Sequence, residues 1–588
     1  MALKKYLGVF CASCLLFTTA VFAQDAPIFA TDVSGLFTLT NGSSFSASGS
    51  DVRSGRTKRS LALTKEAVTS DFKNALEAIQ ANHVVGHQIN PVVLTDLAIS
   101  SMLKSLDPHS NYYDANEFQE LLGEHQSEYS GTGSSISGFI KNGLMETFVV
   151  ATFPGSPAAF GSLRFGDRIV AVNGQSVSGL SPDYVRDRVR GKRGTFVKLT
   201  IERSDTKSIE IVELKRDRVH QPAVPDGHML QPGVGYIDLT GGFSNATFGE
   251  LESALNGLHR QGMRSLVLDI RGNGGGILDQ AVKVAEKFLP AGDTIVSQRG
   301  RYPEDSRVWK ANKPAHENMP LVLLVDENSA SASEVVAGAF QDNDRALIVG
   351  GKTFGKGLVQ NVLSLPNGSG LTLTAARYYT PSGRSIQRDY ADIGLYDYFN
   401  HRGVTAEIEK SAYVAKTVTN RAVYGGDGIT PDESLKKTRV TPTQILLLDP
   451  LFFFAREFVG GRVKGPERSL LTLNQQIRQQ IVFGDPVVTD AMLNLFAEFV
   501  AGENSWKIPV ALLTQERIFI KDTLRYNFAL AAFGINSANR TKIDADPQVR
   551  HAIEALPKAA RLAIAAQKAR TGIKKQKSSL SLILNERK

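Results

Sequence analysis

Apolar residues recur at helical spacing from Leu61 to about Leu122, with Phe72, Leu76 and Ile79 on one face and Leu94, Leu97, Ala98 and Met102 on another. This pattern predicts a small helical N-terminal domain over 61–128. From Tyr129 to about Leu214 the period falls to two. METFVVATF, the run Ile169, Val170, Ala171 and Val172, and TFVKLTIER read as strands, with YVRDRVRG as a helix, and together they predict a compact β-domain over 129–215. Strands then alternate with helices. GVGYIDL, SLVLDIR (265–271), Leu321 to Val325 and ALIVG (346–350) are strands; one helix buries Leu278, Ala281, Val282, Ala285 and Phe288, and another Val335, Val336, Ala339 and Phe340. LVQNVLSL and LTLTAARYY follow as further strands. Such alternation predicts an α/β core over 216–440 with a parallel or mixed sheet and its loops gathered at one end.

An irregular, charged stretch over 388–422 interrupts this core and reads as an inserted surface loop or hairpin. Beyond Thr441 the pattern is helical again: Leu446 to Phe454 is strongly apolar, Met492, Leu495, Phe496 and Phe499 share a face, and DPQVRHAIEAL opens with a helix-start signal. A separate helical C-terminal domain over 441–588 is predicted, its apolar faces serving an internal core or an oligomer contact.

The ends of the chain add an address. Lys4 and Lys5 precede an uncharged, mostly apolar stretch from Tyr6 to Ala23, the pattern of a cleaved export signal over 1–23, with an uncleaved anchor as the alternative. The protein is therefore expected in the periplasm or cell envelope. Residues 24–60, rich in Ser, Gly and Thr, read as a disordered leader. Cys11 and Cys14 are the chain's two cysteines and both lie in the signal, which excludes disulfides, thiolate catalysis and a cysteine metal site from the mature chain. A length of 588 residues with 42% hydrophobic and 21% charged content fits a soluble protein of roughly three or four domains.

The net charge of +8 is concentrated at the C-terminus, where nine basic residues stand against one acidic residue from Leu556 onward. A solvated basic helix is the plain reading, and a peripheral contact with an anionic envelope surface the functional one. No base-stacking motif accompanies the charge, so nucleic-acid binding is not indicated.

Three metal- or nucleotide-like patterns fail on their chemistry. His83 and His87 in HVVGH have the spacing of a zinc site but Val84 stands where a metalloprotease needs its glutamate, and no third ligand is indicated. GGKTFGKG (350–357) has Gly357 where a phosphate-binding loop needs Ser or Thr. RGNGGG (271–276) runs on to Ile277 where a dinucleotide fingerprint ends in glycine. No metal or cofactor is expected.

NSASASE (328–334) is the stretch that carries chemistry. It lies between a buried strand and a helix start, so a serine there is held by rigid elements with its hydroxyl exposed, and the helix N-terminus favours developing negative charge. GNGGG, at the end of another strand, suits an oxyanion hole, because glycines let backbone N–H groups approach a substrate carbonyl. No histidine stands out as a base, His109 in LDPHS being the most motif-like. Lys356, flanked by Phe354, Leu358 and Val359, can act as a base if burial keeps it neutral, and Gln360, an even number of residues on, can orient its amine.

SPAA followed by GDRIVAVNG resembles a PDZ domain, which binds a peptide C-terminus as an added strand. The resemblance implies a carboxylate-binding loop over Ser130 to Ser135, with Gly131, Thr132, Gly133 and Ser134 as its candidates. LDPHSNYYD, the PDZ-like unit, RGNGGG, NSASASE, FGKGLVQ and ARYYTPSGRSIQ, in that order, resemble the carboxy-terminal processing peptidases, or tail-specific serine proteases, across about 61–432.

That resemblance implies a ClpP/crotonase-like protease core with an inserted PDZ domain. It also implies a catalytic set of Ser331 as nucleophile, Lys356 as base 25 residues on, and Gln360 beside it, with oxyanion donors at the amides of Ala332 and Gly275. Arg168 in GDRI is implied as a contact between the PDZ domain and the rest. Substrates would be protein or peptide C-termini, and an envelope adaptor or a second copy of the chain would be partners. The chain departs from the family in having Gly274 where RNNPGG has a proline, in the 388–422 insertion and in its long helical C-terminus. The rival readings are a non-catalytic PDZ-type adaptor with a protease-like core, and a hydrolase using His109 as its base.

Overall fold

The computed structural model describes residues 64–125, 128–391, 394–400, 413–437, 439–463, 486–503 and 505–585. The export signal and leader lie outside the described residues, as do 392–393 and 401–412 of the expected insertion.

The N-terminal unit comprises α1 (Lys65–Asn82), α2 (Pro91–Lys104), a strand β1 (Asn111–Tyr113) and α3 (Ala115–Glu124). Asn90 caps α2 through the Val92 amide at 3.0 Å, with Pro91 at the first turn where its missing N–H costs nothing. The two predicted apolar faces meet: Phe72, Leu76 and Ile79 line an open groove of about 320 Å³ with Leu94, Leu97 and Ala98. β1 pairs with a strand of the protease-like core and so joins the N-terminal unit to it.

The β-domain follows as β2 (Glu128–Gly131), β3 (Ser134–Lys141), β4 (Leu144–Thr152), α4 (Pro157–Phe160), β5 (Arg168–Val172), β6 (Gln175–Ser176), α5 (Pro182–Val189), β7 (Phe196–Glu202), β8 (Ile209–Lys215) and β9 (Asp217–His220). Its sheet runs β3-β4-β5-β7-β8 with β6 on β5, while β2 pairs β9 apart from it. The alternation read from sequence sends Ile169, Val172, Val197, Leu199 and Ile201 into a core closed by Val185 and Val189 of α5. β3 has a sheet partner on one side only, and toward its end the Ile140 amide donates to the Asp449 carboxylate.

The core continues with β10 (Asp226–Gln231), β11 (Val234–Asp238), α6 (Thr247–Arg260), β12 (Ser265–Asp269), α7 (Leu278–Phe288), β13 (Thr294–Gly300), β14 (Arg307–Lys310), β15 (Leu321–Val325), α8 (Ala332–Asp342), β16 (Leu347–Gly350), β17 (Leu358–Ser364), β18 (Gly370–Tyr379), α9 (Leu395–Phe399), β19 (Val414–Lys416), β20 (Ala422–Tyr424) and β21 (Glu433–Ser434). The main sheet has the order β10-β11-β12-β15-β16-β21, parallel except for β10. Its strands are apolar on both faces because both are covered. Ile237, Leu266, Leu268, Leu321, Leu323, Val325 and Ile348 face α6, α7 and α8. Tyr236, Val267, Val322, Leu324, Leu347 and Val349 face the opposite way. Each such side chain taken fully out of water contributes ~1.5–3 kcal/mol. A second, antiparallel sheet, β1-β18-β13-β14 with β17 on β18, carries the segment after Lys356.

The C-terminal helices are α10 (Pro442–Val459), α11 (Asp490–Ala501), α12 (Val510–Gln515), α13 (Arg517–Phe533), α14 (Ile535–Ala545) and α15 (Pro547–Asn585). The expected separate domain over 441–588 divides between two neighbours. Residues of α10, α11 and α13 share a core with Phe148, Ala151 and Phe165 of the β-domain, and Phe139 stacks on Phe452 at 3.6 Å. α15 instead lays Val549, Ala552, Ala555, Leu556 and Ala559 on the second face of the main sheet. Among the described residues no helix is long and apolar enough to cross a membrane.

Candidate active site

The chain turns sharply between β15 and α8, and Ser331 sits at the turn with φ 58° and ψ −114°. Such a conformation is costly for a residue with a β-carbon and persists only where its surroundings enforce it. Three sets of bonds do so. Ser329 Oγ donates to the Ile270 carbonyl at 2.9 Å and Ser333 Oγ to the Asn273 carbonyl at 2.8 Å, so the flanking serines bind the turn to the glycine-rich loop. The Ala330 amide donates to the same Asn273 carbonyl at 3.0 Å. The Ser331 amide donates to Glu334 Oε2 at 2.9 Å.

Glu334 has a larger part than the sequence indicates. Fully buried, its carboxylate also accepts from Thr353 Oγ1 at 2.6 Å, the Gly355 amide at 2.7 Å and the Lys356 amide at 2.8 Å. Burial pushes its pKa up, and these hydrogen bonds, from Thr353 first, oppose the rise. One carboxylate therefore fixes both the nucleophile candidate and the base candidate by their backbones. The sequence offers Glu334 only as a helix-start residue.

Lys356 is half-buried, and its Nζ donates to Gln360 Oε1 at 2.9 Å. The orientation of the Gln360 amide is set from the other side, since Nε2 donates to the His109 carbonyl. That carbonyl is held by a tight turn in which Asp107 Oδ1 accepts from the His109 and Ser110 amides, both at 2.8 Å. The imidazole of His109 is buried, bonded through Nε2 to the Tyr398 hydroxyl at 2.8 Å. Burial, then the charges of Lys356, Lys104 and Arg388, lower its pKa to about 2. A ring so committed leaves the His109-based hydrolase without geometric support; the residue contributes its backbone instead.

Gly275, with φ +102°, packs directly on the turn: a β-carbon there would lie 2.7 Å from the Ala330 oxygen, 2.8 Å from Ser331 Cβ and 3.0 Å from the Ala332 nitrogen. Its own N–H donates to Asn273 Oδ1 at 2.9 Å. The Ala332 amide, at the first position of α8, has no acceptor within the helix. Of the two expected oxyanion donors, Ala332 is thus available in this state, while Gly275 is in place but engaged.

The remaining motif, ARYYTPSGRSIQ, clasps the far end of α8. Arg384, fully buried, donates to Gln341 Oε1 and Asp342 Oδ1, both at 2.7 Å, and Ser382 Oγ donates to Asp342 Oδ2 at 2.7 Å. At the base of the glycine loop, Arg271 pairs with Asp269 and reaches Asp546 at 2.7 Å and Gln548 at 2.8 Å, tying the loop to the start of α15.

In the β-domain, Gly131 belongs to β2, opposite Asp217, and the loop proper is Thr132 and Gly133. Their carbonyls turn inward: Thr132 O accepts from the Ala158 amide at 2.7 Å, Gly133 O from the Phe153 amide at 2.9 Å and from Ser156 Oγ at 3.1 Å. In trans peptides the following amides, of Gly133 and Ser134, point the opposite way. Ser134 then opens β3, the edge strand. Arg168 makes its direct contacts within its own domain. It pairs with Glu146 and, at 2.6 Å, with Glu202 Oε2, while Glu202 Oε1 accepts from Arg456 of α10 at 2.9 Å. The residue thus links the β-domain to the C-terminal helices by way of Glu202.

Among the described residues no group of three or more His, Cys, Asp or Glu side chains could hold a metal ion.

Comparison with known proteins agrees with these motifs. Residues 233–394 match peptidase family S41, and residues 148–203 match the PDZ domain. The chain is 38% identical over 299 residues to a carboxy-terminal-processing protease of Bartonella bacilliformis, covering 50% of this chain and 67% of that protein. It is also 38% identical over 296 residues to a probable CtpA-like serine protease of Staphylococcus epidermidis, covering 50% of this chain and 58% of that one. A solved structure of the photosystem II D1 C-terminal processing protease covers 63% of this chain and 86% of its own, with 28% identity and a TM-score of 0.34.

Proposed function

This chain belongs to the carboxy-terminal-processing proteases of peptidase family S41, and from that premise we propose that it is an exported serine endopeptidase acting through a Ser331–Lys356 dyad. The observation that carries the reading is the shared Glu334 carboxylate: one oxygen accepts the amides of both residues, while Gln360 holds Nζ at 2.9 Å.

Lys356, unprotonated, takes the proton of Ser331 as Oγ attacks the peptide carbonyl. The Ala332 amide and the N-terminus of α8 stabilise the oxyanion, with Gly275 contributing if its N–H exchanges Asn273 for the substrate. Lys356 returns its proton to the leaving amine. Water, giving a proton to Lys356, then attacks the acyl-enzyme, and Lys356 passes that proton to Ser331 Oγ as its bond to the acyl carbon breaks. Gln360 is bonded to Nζ and so directs the lone pair, which leaves it a positioning residue rather than a reacting one.

Substrates are proteins with disordered C-terminal tails. The outward amides of Gly133 and Ser134 beside the edge strand β3 support capture of a tail carboxylate there, with the tail pairing along β3. Export is supported by Lys4, Lys5 and the apolar stretch that follows them. The test is cleavage of a protein with an apolar, disordered tail by the full chain. Ser331→Ala and Lys356→Ala each abolish cleavage while tail binding persists; undiminished cleavage by either variant removes the dyad.

A further inference from the structure

We propose that Tyr398, in the segment between Arg388 and Ala422, is a positioning residue for Lys356, acting through two hydrogen-bonded arms that meet at its hydroxyl. The inference rests on the dyad reading above.

One arm runs through His109. The Tyr398 hydroxyl and His109 Nε2 are 2.8 Å apart, the His109 carbonyl accepts from Gln360 Nε2, and Gln360 Oε1 accepts from Lys356 Nζ at 2.9 Å. The other runs through Gln387, whose Nε2 donates to the Tyr398 hydroxyl at 3.2 Å and whose Oε1 accepts from the Gly357 amide at 2.8 Å. The first arm ends on the lysine side chain and the second on the residue next to it in the chain. Tyr398 is 1% exposed, against an expectation of an inserted surface loop for its segment. The reason is an aromatic seat: His109 lies edge-on to it at 5.5 Å, Phe354 at 5.9 Å and Phe399 at 5.2 Å, and the Arg388 guanidinium lies 4.8 Å from its ring.

A glutamine amide has two ends of similar shape and opposite polarity. If Gln360 turned over, it would present N–H groups to Lys356 instead of an acceptor, and the lysine lone pair would lose its bearing on Ser331. The His109 carbonyl prevents that turn, and the Tyr398 hydroxyl keeps the His109 ring, and with it that carbonyl, in place. Burial raises the Tyr398 phenol to about 12, so it remains an O–H across the working range. The inserted segment is in this way part of the catalytic apparatus.

The experiment is a double-mutant cycle on the full chain, reading kcat and KM for a tail-bearing substrate and the labelling rate of Ser331 by a fluorophosphonate. Tyr398→Phe removes one oxygen and lowers kcat and labelling about tenfold with KM unchanged, as expected for an interaction that serves the reacting groups and not substrate binding. In a Gln360→Ala background most of that loss disappears. A full loss in that background, or a rise in KM with kcat intact, overturns the proposal. If Lys356→Ala is inactive and Tyr398→Phe matches the wild type, the dyad stands and this inference falls; if Lys356→Ala stays active, both fall. Should Tyr398→Phe not fold, His109→Leu removes the hydrogen-bond partner of the same hydroxyl and is read by the same criteria.

Discussion

Ser331 and Lys356 donate their backbone amides to one and the same oxygen of Glu334, at 2.9 and 2.8 Å. Their nitrogens can therefore be no further apart than these two bonds laid end to end. The turn leaves β15 while the lysine segment runs from β16 of the same sheet to β17 of the other, and this buried carboxylate is the joint between them. Glu334→Gln keeps the shape but puts an N–H₂ against donors on one side. A loss of ~3 kcal/mol or more in stability follows, since hydrogen bonds to a charged group contribute ~1.5–3 kcal/mol each. Thermal unfolding measures that loss, and fluorophosphonate labelling measures the accompanying fall in Ser331 reactivity.

His109 gives the site an acid limit. Its pKa is lowered from 6.5 to about 2 on folding, so the stability tied to its neutral form is complete above pH 6.5 and is lost as pH falls below it. The cost reaches ~2 kcal/mol by pH 5. Melting temperature followed from pH 8 to pH 5 should drop in the wild type with a slope that His109→Gln reduces; equal slopes in the two proteins would contradict the assignment.

Gly275 is fixed by space as well as conformation. With φ +102° and the Ala330 carbonyl and Ser331 against it, Gly275→Ala must displace the turn that exposes Ser331. A fall in kcat of about a hundredfold or more is expected, in the range seen when oxyanion geometry is lost. Substrate binding by the β-domain should be unaffected, which a tail-peptide titration can check.

Arg456 is the joint between the C-terminal helices and the PDZ domain. Its side chain, 4% exposed, donates to the Gly166 carbonyl at 2.6 Å and to Glu202 at 2.9 Å. Arg456→Ala leaves Glu202 with Arg168 and, at 3.7 Å, Lys207, and uncovers the Gly166 carbonyl. Losing this part-buried, charge-assisted hydrogen bond costs ~1.5–3 kcal/mol. Hydrogen exchange should rise in β5, β7 and α10 together, with the protease core unchanged; exchange confined to α10 would show that the two units are not coupled there.

What the sequence makes legible follows from where its signals are local. The strands of the main sheet stand out because residues such as Leu266, Leu268, Leu321 and Leu323 are buried in unbroken apolar runs, and α8 because Val335, Val336, Ala339 and Phe340 repeat at helical spacing. The turn at Ser331 is legible as small residues between a strand and a helix. Glu334 is not, because a glutamate three residues into a helix has an ordinary capping role, and its partners Thr353, Gly355 and Lys356 arrive from another strand connection. Tyr398 is hidden for a similar reason: the cluster Tyr396, Tyr398 and Phe399 is too short to set a period, and its burial depends on His109 and Phe354 coming to it from afar. The spacing of Val549, Ala552, Leu556 and Ala559 reveals an apolar helix face without saying that the main sheet is what it covers.

Whether Ser331 is a nucleophile activated by Lys356 is tested most directly by labelling the full chain with a fluorophosphonate and mapping the modified peptide. The account predicts a single adduct on Ser331, absent in Ser331→Ala and slowed about a hundredfold or more in Lys356→Ala. An adduct on Ser329 or Ser333, or labelling of Ser331 at an undiminished rate without Lys356, would contradict it.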